Sequence, residues 1–265
     1  MKIFLFLVLI VQAQILAAKN YDHSLSLVCS SEETLDVYTI NTSFAKTYVV
    51  RSSEATFLVD TGNNTSWRKI RKVLKKLDLW KKLDAIALTH SHFDHAGSAA
   101  KLSELTGAVI VHHELESPIL SLGETDVGQI RNWHWADASL IPLIKRLFRF
   151  WPVVDQVAFA GESIDFVDLD LNFGSDLMIQ ATHRSGHTPG SITIDISCAE
   201  KTVSFAGDLL TYRGGKIAMQ KNFAHDWAKT NTSFDKYIRE DFDFIFPAHG
   251  KPYARAESHQ GYLRK

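Results

Sequence analysis

The sequence predicts an α/β fold, because short apolar runs alternate with amphipathic segments along most of the chain. The chain has 265 residues, enough for one substantial α/β domain or two small ones. The apolar runs end in turn residues, as strands do, and the amphipathic segments have the period of a helix. We find no low-complexity linker and no internal repeat. We therefore expect one domain built from layers of sheet and helix.

The first half of the chain contains two segments that predict helices. Thr65 to Leu77 places apolar residues at helical spacing and cations on the opposite face, which indicates a helix with one solvated face. A second helix is expected over Ala96 to Leu105, where Gly107 would end it. Apolar runs before, between and after these two segments predict strands at residues 37–40, 47–50, 55–59, 85–88 and 108–111.

The second half predicts further strands at residues 177–182, 191–197, 202–206 and 244–246, with a helix at about 233–239 before the last strand. Residues from about 114 to 158 do not follow this alternation and combine aromatic with basic residues. We expect a largely helical insertion there, which either packs on the core or forms a wall or lid over the active site. Its aromatic residues are Trp133, Trp135, Phe148, Phe150 and Trp151.

The first 18 residues have the pattern of a secretory signal peptide. A positive start, Met1-Lys2, precedes the apolar run Ile3 to Val11, and small residues follow at Ala13 and at Ala17-Ala18, so cleavage is expected after Ala13 or Ala18. The alternative is an uncleaved anchor, but the run is shorter than the ~20 residues that usually span a bilayer. We expect a mature domain over residues 19–265 that is secreted or periplasmic, without stable membrane insertion after cleavage.

Export would place the chain in an oxidising compartment, where Cys29 and Cys198 could form a disulfide. Two unrelated buried thiols are the alternative, and the sequence leaves both open. The 29 Lys and Arg residues balance the 30 Asp and Glu residues, and no basic stripe suggests nucleic acid. We therefore expect a small-molecule substrate. Twelve His residues against two Cys residues point to a metal site.

The strongest chemical signal is the segment Thr89-His90-Ser91-His92-Phe93-Asp94-His95, which connects a predicted strand to a predicted helix. It contains four candidate metal ligands within six residues. Imidazole and carboxylate groups are good zinc ligands. Burial of so many polar groups without a metal would leave several unpaired, which is costly. A structural role for the whole segment is therefore unfavourable.

Three further candidates each follow a predicted strand. His187 lies in the turn Ser185 to Gly190, Asp208 follows Phe205-Ala206-Gly207, and His249 lies in Pro247 to Gly250. Taken singly, each of these positions is ambiguous. Because strand ends can meet at one edge of the sheets, all three could face the His90 to His95 segment.

In these motifs the chain resembles the metallo-β-lactamase-fold hydrolase superfamily, from about Val37 to the C-terminus. The matching motifs also include Val59-Asp60-Thr61-Gly62. The resemblance implies a four-layer αβ/βα sandwich of two mixed sheets with helices outside. It also implies two divalent metal ions. Zinc is the first expectation, and manganese or iron also suits a ligand set of His and carboxylate groups.

The resemblance further implies which side chains hold each ion. The first ion would take His90, His92 and His187. The second ion would take Asp94, His95 and His249. Asp208 would bridge both ions, and Asp60 would order the site without binding metal.

The resemblance implies hydrolysis, with a metal-bridged hydroxide attacking the carbonyl carbon of an ester, lactone or related substrate. Asp94 is the candidate catalytic residue that accepts or relays the proton. The carboxylate at Asp208 is unlike true β-lactamases, which typically have Cys or Ser there. It is like hydroxyacylglutathione hydrolases, acyl-homoserine lactonases and many esterases. A β-lactamase, a phosphodiester or sulfate-ester hydrolase, and a non-catalytic metal-binding protein are the alternatives.

Overall fold

Two large sheets form the framework of the protein in a computed structural model. The structure describes residues 21–125, 146, 148–154, 156–171, 173 and 176–255. The expected signal peptide and much of the expected insertion, including Trp133 and Trp135, lie outside these residues. Each sheet has seven strands.

The first sheet contains β1 to β7 in sequence order. Its first four strands are antiparallel, and β4 to β7 are parallel. The parallel strands bring their carboxyl ends to the same edge of the sheet. The strands are β1 (Asp22–Val28), β2 (Thr34–Asn41), β3 (Lys46–Arg51), β4 (Thr56–Val59), β5 (Ala85–Ala87), β6 (Val109–His113) and β7 (Gln156–Phe159).

The second sheet has the order β14-β13-β11-β10-β9-β8, with β12 also paired to β11. Strand β13 is parallel to β11, and the other pairs are antiparallel. The strands are β8 (Ser163–Asp165), β9 (Leu177–His183), β10 (Ile192–Cys198), β11 (Lys201–Arg213), β12 (Lys216–Met219), β13 (Phe244–Gly250) and β14 (Tyr253–Ala254).

The described helices are α1 (Trp67–Lys76), α2 (Phe93–Ala96), α3 (Ala99–Thr106), α4 (Ser117–Leu122) and α5 (Trp227–Tyr237). Short 3₁₀ turns occur at Glu114–Glu116 and Phe166–Leu169. Within the described part of the chain, no helix has the length and apolar character needed to cross a membrane.

The core lies between the two sheets and is covered on both outer sides. The inner faces contribute aromatic rings such as Tyr48, Phe205 and Phe246, whose centroids lie 5.2 to 5.3 Å apart. Helices α1 and α3 bury their apolar sides against the outer face of the first sheet, and α5 does so on the second. Each such side chain contributes roughly 1.5–3 kcal/mol on full burial. The four-layer αβ/βα sandwich is therefore confirmed.

The helices differ from the sequence prediction mainly in where they begin. The segment expected to be helical from Ala96 is divided, because α2 starts earlier, at Phe93, and α3 starts only at Ala99. Gly107 ends α3 as expected, with a φ of 83°. Helix α5 starts six residues before the predicted position, because the Asp226 carboxylate caps it by accepting from the amides of Ala228 and Lys229.

Several strands escaped prediction because they lack a clear apolar pattern. Strand β1 is largely exposed or half-buried along its length. Strand β7 begins at Gln156, within the segment expected to form the insertion, and pairs with β6 at the edge of the sheet. The described beginning of that segment is helical, over residues 114–122.

A disulfide links Cys29 to Cys198, with a Cα–Cα distance of 4.8 Å. Cys29 follows β1 at one edge of the first sheet, and Cys198 is the last residue of β10 in the second sheet. The bond therefore joins the two sheets covalently and decides the question that the sequence left open.

We predict that the double variant Cys29→Ala/Cys198→Ala loses stability, because the bond spans 169 residues of the unfolded chain. The chain-entropy model gives about 5 kcal/mol for a loop of this size. Urea unfolding of the native and variant proteins measures the difference. Reductant should destabilise the native protein but not the variant, and equal stability of the two oxidised proteins would contradict the prediction.

Candidate metal centre

The candidate ligands lie on loops, on the short helix α2 and on two strands, at one edge of the sandwich. The segment from His90 to His95 follows β5, and His187 lies between β9 and β10. Asp208 lies inside β11, which continues to Arg213 rather than ending near residue 206 as the sequence predicted. The pairing of β11 with β13 shifts register around Asp208, between Gly207 and Thr211.

Glycine is required at position 207 because β11 approaches the loop after β5 at this point. Gly207 has a φ of 50°. A Cβ atom there would lie 2.8 Å from Cβ of Thr89, well inside van der Waals contact. The absence of a side chain therefore allows Asp208 to come close to the histidines that follow Thr89.

Four buried side chains form the first ligand group: His90, His92, His187 and Asp208. Nδ1 of His92 lies 2.9 Å from Nε2 of His90 and 3.1 Å from Nε2 of His187. Nε2 of His187 in turn lies 3.2 Å from Oδ2 of Asp208. Ligand atoms at 2.0–2.1 Å from a tetrahedral zinc ion are about 3.3 Å apart. The group therefore has the size that a zinc ion requires.

The second ligand group consists of Asp94, His95 and His249. Oδ2 of Asp94 lies 3.7 Å from Nε2 of His249 and 3.9 Å from Nε2 of His95. The other oxygen of Asp208, Oδ1, lies 3.2 Å from His249 Nε2 and 3.5 Å from His95 Nε2. The two oxygens of Asp208 therefore face different groups, as a bridging carboxylate would.

Asp60 fixes the orientation of His95. Its carboxylate accepts a hydrogen bond of 2.8 Å from Nδ1 of His95 and others from the amide and hydroxyl of Thr89. With Nδ1 engaged as the donor to Asp60, Nε2 of His95 faces the second group, and a bound metal ion would take the place of a proton there. A carboxylate that holds a ligating imidazole in this way is a common feature of metal sites.

Two ligand atoms fit a cation because they are otherwise unsatisfied. Nε2 of His95 and Oδ1 of Asp208 are buried and form no hydrogen bond with any residue that the structure describes. Unpaired polar atoms are costly inside a protein. A divalent cation at each group would satisfy both atoms, so the residues present fit such ions.

The electrostatics of the site favour positive charge near the carboxylates. Burial and the neighbouring histidines lower the pKa of His187 to about 3, which keeps its imidazole neutral. Burial also opposes a charge on His95, but Asp60, Asp208 and Asp94 outweigh it and raise the pKa of His95 to about 10. The second group is therefore a position that attracts a cation.

A cavity of about 270 Å³ opens directly onto both ligand groups. One side is aromatic: Phe93 stacks on Phe148 with centroids 4.3 Å apart and meets Phe44 edge-on at 5.4 Å. Another part of the lining is polar and comes from Arg213, Gln220 and Asn222. A larger cavity, of about 920 Å³, lies beside α3 and contains none of the candidate ligands.

The structure brings together all the site residues that the sequence proposed, from four separate segments of the chain. Sequence reasoning missed Glu116, which is buried beside the first group, and Arg213 in the cavity lining. Neither residue belongs to a recognisable motif. Phe148 belongs to the aromatic segment that the sequence did single out.

The sequence matches the model of the metallo-beta-lactamase superfamily over residues 41–249. An uncharacterized protein of Mycobacterium tuberculosis is 27% identical over 203 residues, which cover 73% of this chain and 79% of that protein. An uncharacterized protein of Mycobacterium leprae is 27% identical over 209 residues, with coverage of 76% and 83%.

Solved structures of metallo-beta-lactamases have the same fold. The Rm3 metallo-beta-lactamase has a TM-score of 0.61 at 20% identity, covering 89% of this chain and 81% of that one. A subclass B3 metallo-beta-lactamase from a soil metagenome library has a TM-score of 0.60 at 19% identity, covering 86% and 80%. With the match of the family model over most of the chain, the protein belongs to the metallo-beta-lactamase superfamily and is a metal-dependent hydrolase.

Proposed function

We propose that the protein is an exported dinuclear hydrolase of carboxylic esters, lactones or related carbonyl compounds that carry an apolar group. The observation that carries this proposal is the division of Asp208 between two ligand groups, with Oδ2 facing the first and Oδ1 facing the second. The cavity in front of them combines aromatic and polar walls. The substrate is therefore a small molecule.

We assign the ligands as the geometry groups them, with Asp208 shared. His90, His92 and His187 would hold the first ion, and Asp94, His95 and His249 would hold the second. We take both ions to be zinc, because five imidazoles and two carboxylates suit it. Elemental analysis of the purified protein distinguishes zinc from manganese and iron.

Bound to these groups, the two ions would supply an activated water and a Lewis acid for the carbonyl oxygen. Asp94 is half-buried and lines the cavity, so its carboxylate can accept a proton from the attacking water and pass it to the leaving group. Asp60 and Thr89 keep His95 in place during this transfer. The rings of Phe44, Phe93 and Phe148 exclude water from the apolar side of the substrate.

We predict that Asp208→Ala lowers metal affinity by more than about 100-fold, because loss of even a supporting partner of a ligand costs about 10- to 100-fold. Hydrolytic rate should fall with metal content. Competition with a chromogenic chelator measures the affinity. Asp168→Ala, which removes an exposed carboxylate from a 3₁₀ turn, is the control. A variant that kept both ions and the rate would overturn the bridging assignment.

The main alternative substrate is a β-lactam, because the similar structures include subclass B3 metallo-beta-lactamases. Those likenesses, at 19% and 20% identity, concern the fold. The carboxylate of Asp208 favours the ester and lactone branch, since true β-lactamases typically have Cys or Ser at that position. The aromatic wall also suits an acyl group better than a phosphodiester.

A substrate panel tests the proposed function. Zinc-loaded mature protein should cleave chromogenic esters and lactones faster than a chromogenic cephalosporin or bis(4-nitrophenyl) phosphate, judged by kcat/KM. Metal removal should abolish each activity, and zinc should restore it. Cleavage of the phosphodiester alone, or of the cephalosporin far above the esters, would overturn the carbonyl-ester assignment.

Arg213 should favour substrates that carry a negative charge. It lines the cavity and forms no ion pair with any carboxylate in the described part of the chain. Its charge adds to burial in lowering the pKa of Lys46, so positive charge is concentrated on this side of the cavity. An anionic substituent on the substrate would therefore be stabilised here.

We predict that Arg213→Gln raises KM for 4-acetoxybenzoate by about 5-fold, the ~1 kcal/mol of a partly exposed ion pair. KM for the neutral phenyl acetate should stay unchanged. Lys216→Gln, which removes the exposed cation opposite Arg213 in the β11–β12 hairpin, is the matched control. Equal effects of Arg213→Gln on both esters would contradict a charge-recognition role.

We also propose the domain organisation that the sequence predicts: a signal peptide over residues 1–18, then one hydrolase domain over 19–265 with an insertion at about 114–158. The disulfide supports export, because such bonds persist in oxidising compartments. The stacking of Phe148 on Phe93 supports a role of the insertion as a wall of the active site.

A further inference from the structure

Glu116 is a buried carboxylate beside the first ligand group that no part of the proposed chemistry uses. It ends the short 3₁₀ turn after β6, and only 2% of its surface is exposed. Its Oε2 accepts a hydrogen bond of 2.9 Å from the amide of Ser91. Its Oε1 accepts bonds of 2.7 Å from the amide of Gly190 and from the hydroxyl of Thr188.

The surroundings of this carboxylate are unusual. Buried carboxylates are normally paired with a cation. Among the described residues, Glu116 has no ion pair with Lys, Arg or His within 4.0 Å. All three of its hydrogen bonds are instead donated by two loops, so the group acts only as an acceptor, as an ionised carboxylate does.

The two loops are the ones that carry the imidazoles of the first group. Ser91 lies between His90 and His92, and Thr188 directly follows His187. One oxygen of Glu116 holds the first loop, and the other holds the second. Where the loops meet, Nδ1 of His92 lies 3.1 Å from Nε2 of His187.

The fit between Glu116 and the second loop is close. A Cβ atom on Gly190 would lie 2.8 Å from Oε1 of Glu116, so only glycine allows the carboxylate to reach the amide. Both oxygens of Glu116 are engaged by the loops, and neither is directed at the ligand groups. Glu116 is therefore suited to hold the ligands and not to bind the metal.

We propose that Glu116 is a positioning residue that sets the spacing of His90 and His92 relative to His187, and with it the affinity of the first metal ion. This inference rests on the proposed assignment of these histidines as ligands. The second ion depends on Asp94 and His95 in α2 and on His249 in β13, and the side chain of Glu116 forms no hydrogen bond with described residues of either element. His95 also has a separate support in Asp60. Loss of Glu116 should therefore weaken one ion and spare the other.

Glutamine cannot replace Glu116 at this position, although it has the same shape. If its oxygen accepts from Gly190 and Thr188, its NH₂ group faces the amide of Ser91, and two donors meet. If its oxygen accepts from Ser91, its NH₂ group faces the amide of Gly190. Either placement releases one of the two loops from residue 116. Glu116→Gln should therefore affect metal binding almost as strongly as Glu116→Ala.

The chain offers a matched control in Glu33. It is also buried, with 4% exposed, and accepts three hydrogen bonds, from the amides of Thr34 and Ser53 and from the Ser53 hydroxyl. It contacts Ser53, which precedes the first residue of β4, whereas Asp60 follows the last residue of that strand. Glu33 and Asp60 therefore lie at opposite ends of β4. Glu33→Ala removes a similar set of contacts far from the ligands and reports the purely structural cost.

The experiment measures zinc stoichiometry and stepwise affinity for native protein, Glu116→Gln, Glu116→Ala and Glu33→Ala, by competition with a chromogenic chelator. Cobalt-substituted samples give the absorption spectrum of each site, and urea unfolding of the metal-free proteins gives their stability. Thr188→Val, which removes one donor, is the milder variant if the Glu116 variants do not fold.

We expect the Glu116 variants to bind one ion with native affinity and the other about 10- to 100-fold more weakly, with an altered cobalt spectrum. Thr188→Val should show a smaller loss of the same ion. Glu33→Ala should lose stability but keep both affinities. The positioning role would be overturned if the folded Glu116 variants and Thr188→Val bound both ions with native affinity. It would also be overturned if Glu33→Ala showed the same loss of affinity. Absence of metal binding by native protein would instead overturn the proposed centre.

Discussion

The whole arrangement depends on holding five imidazoles and two carboxylates, the candidate ligands, at one edge of the sandwich. Without bound cations, ligand atoms such as Nε2 of His95 and Oδ1 of Asp208 remain buried and unpaired. Such a cluster would disperse in a loosely packed protein, because each unpaired polar atom favours exposure to water. The surrounding fold must therefore fix the ligands from behind, as it does for His95, His187 and His249.

The supports come from different layers of the fold. Asp60 at the end of β4 holds His95. Tyr48 on β3 donates a hydrogen bond of 2.6 Å to the carbonyl of Pro247 in the second sheet, and Lys46 donates to the carbonyl of Gly250. The contacts of Tyr48 and Lys46 cross from one sheet to the other on either side of His249. The interface between the sheets, which the disulfide also links, thus supports the candidate metal centre.

The sequence pointed to the candidate ligands because metal-binding chemistry requires a recognisable pattern of residues. Several His and Asp residues must follow one strand closely, and that density is visible without a structure. Helix α1 and the end of α3 at Gly107 were also predictable. Apolar residues at helical spacing and a glycine in the left-handed conformation are both local properties of the sequence. The superfamily resemblance supplied the sandwich and the proposed division of the ligands between two ions.

Other features depend on contacts between distant segments and left no local signal. Glu116 is separated from Gly190 by 74 positions in the chain, so no spacing rule connects them. Strand β1 is a strand only because its backbone pairs with β2, and its own side chains are mostly exposed or half-buried. Arg213 became notable only when β11 proved to extend past Asp208 as far as the cavity.

The loop that carries His187 is held firmly from two sides. On one side it is held by Glu116. On the other side α5 holds it: the amide of Asp226 donates to the carbonyl of Gly186, and the hydroxyl of Ser233 donates to the carbonyl of Ser185.

Two residues of the cavity lining, Phe44 and Arg213, are held much less firmly. Phe44 is 60% exposed and lies in the turn between β2 and β3, and Arg213 is exposed at the end of β11. Exposed positions of this kind tolerate substitution far better than buried, hydrogen-bonded ones. If these residues face the substrate as proposed, substitutions at Phe44 and Arg213 could change selectivity without disturbing the candidate ligands, because these two residues line the same cavity but belong to neither ligand group.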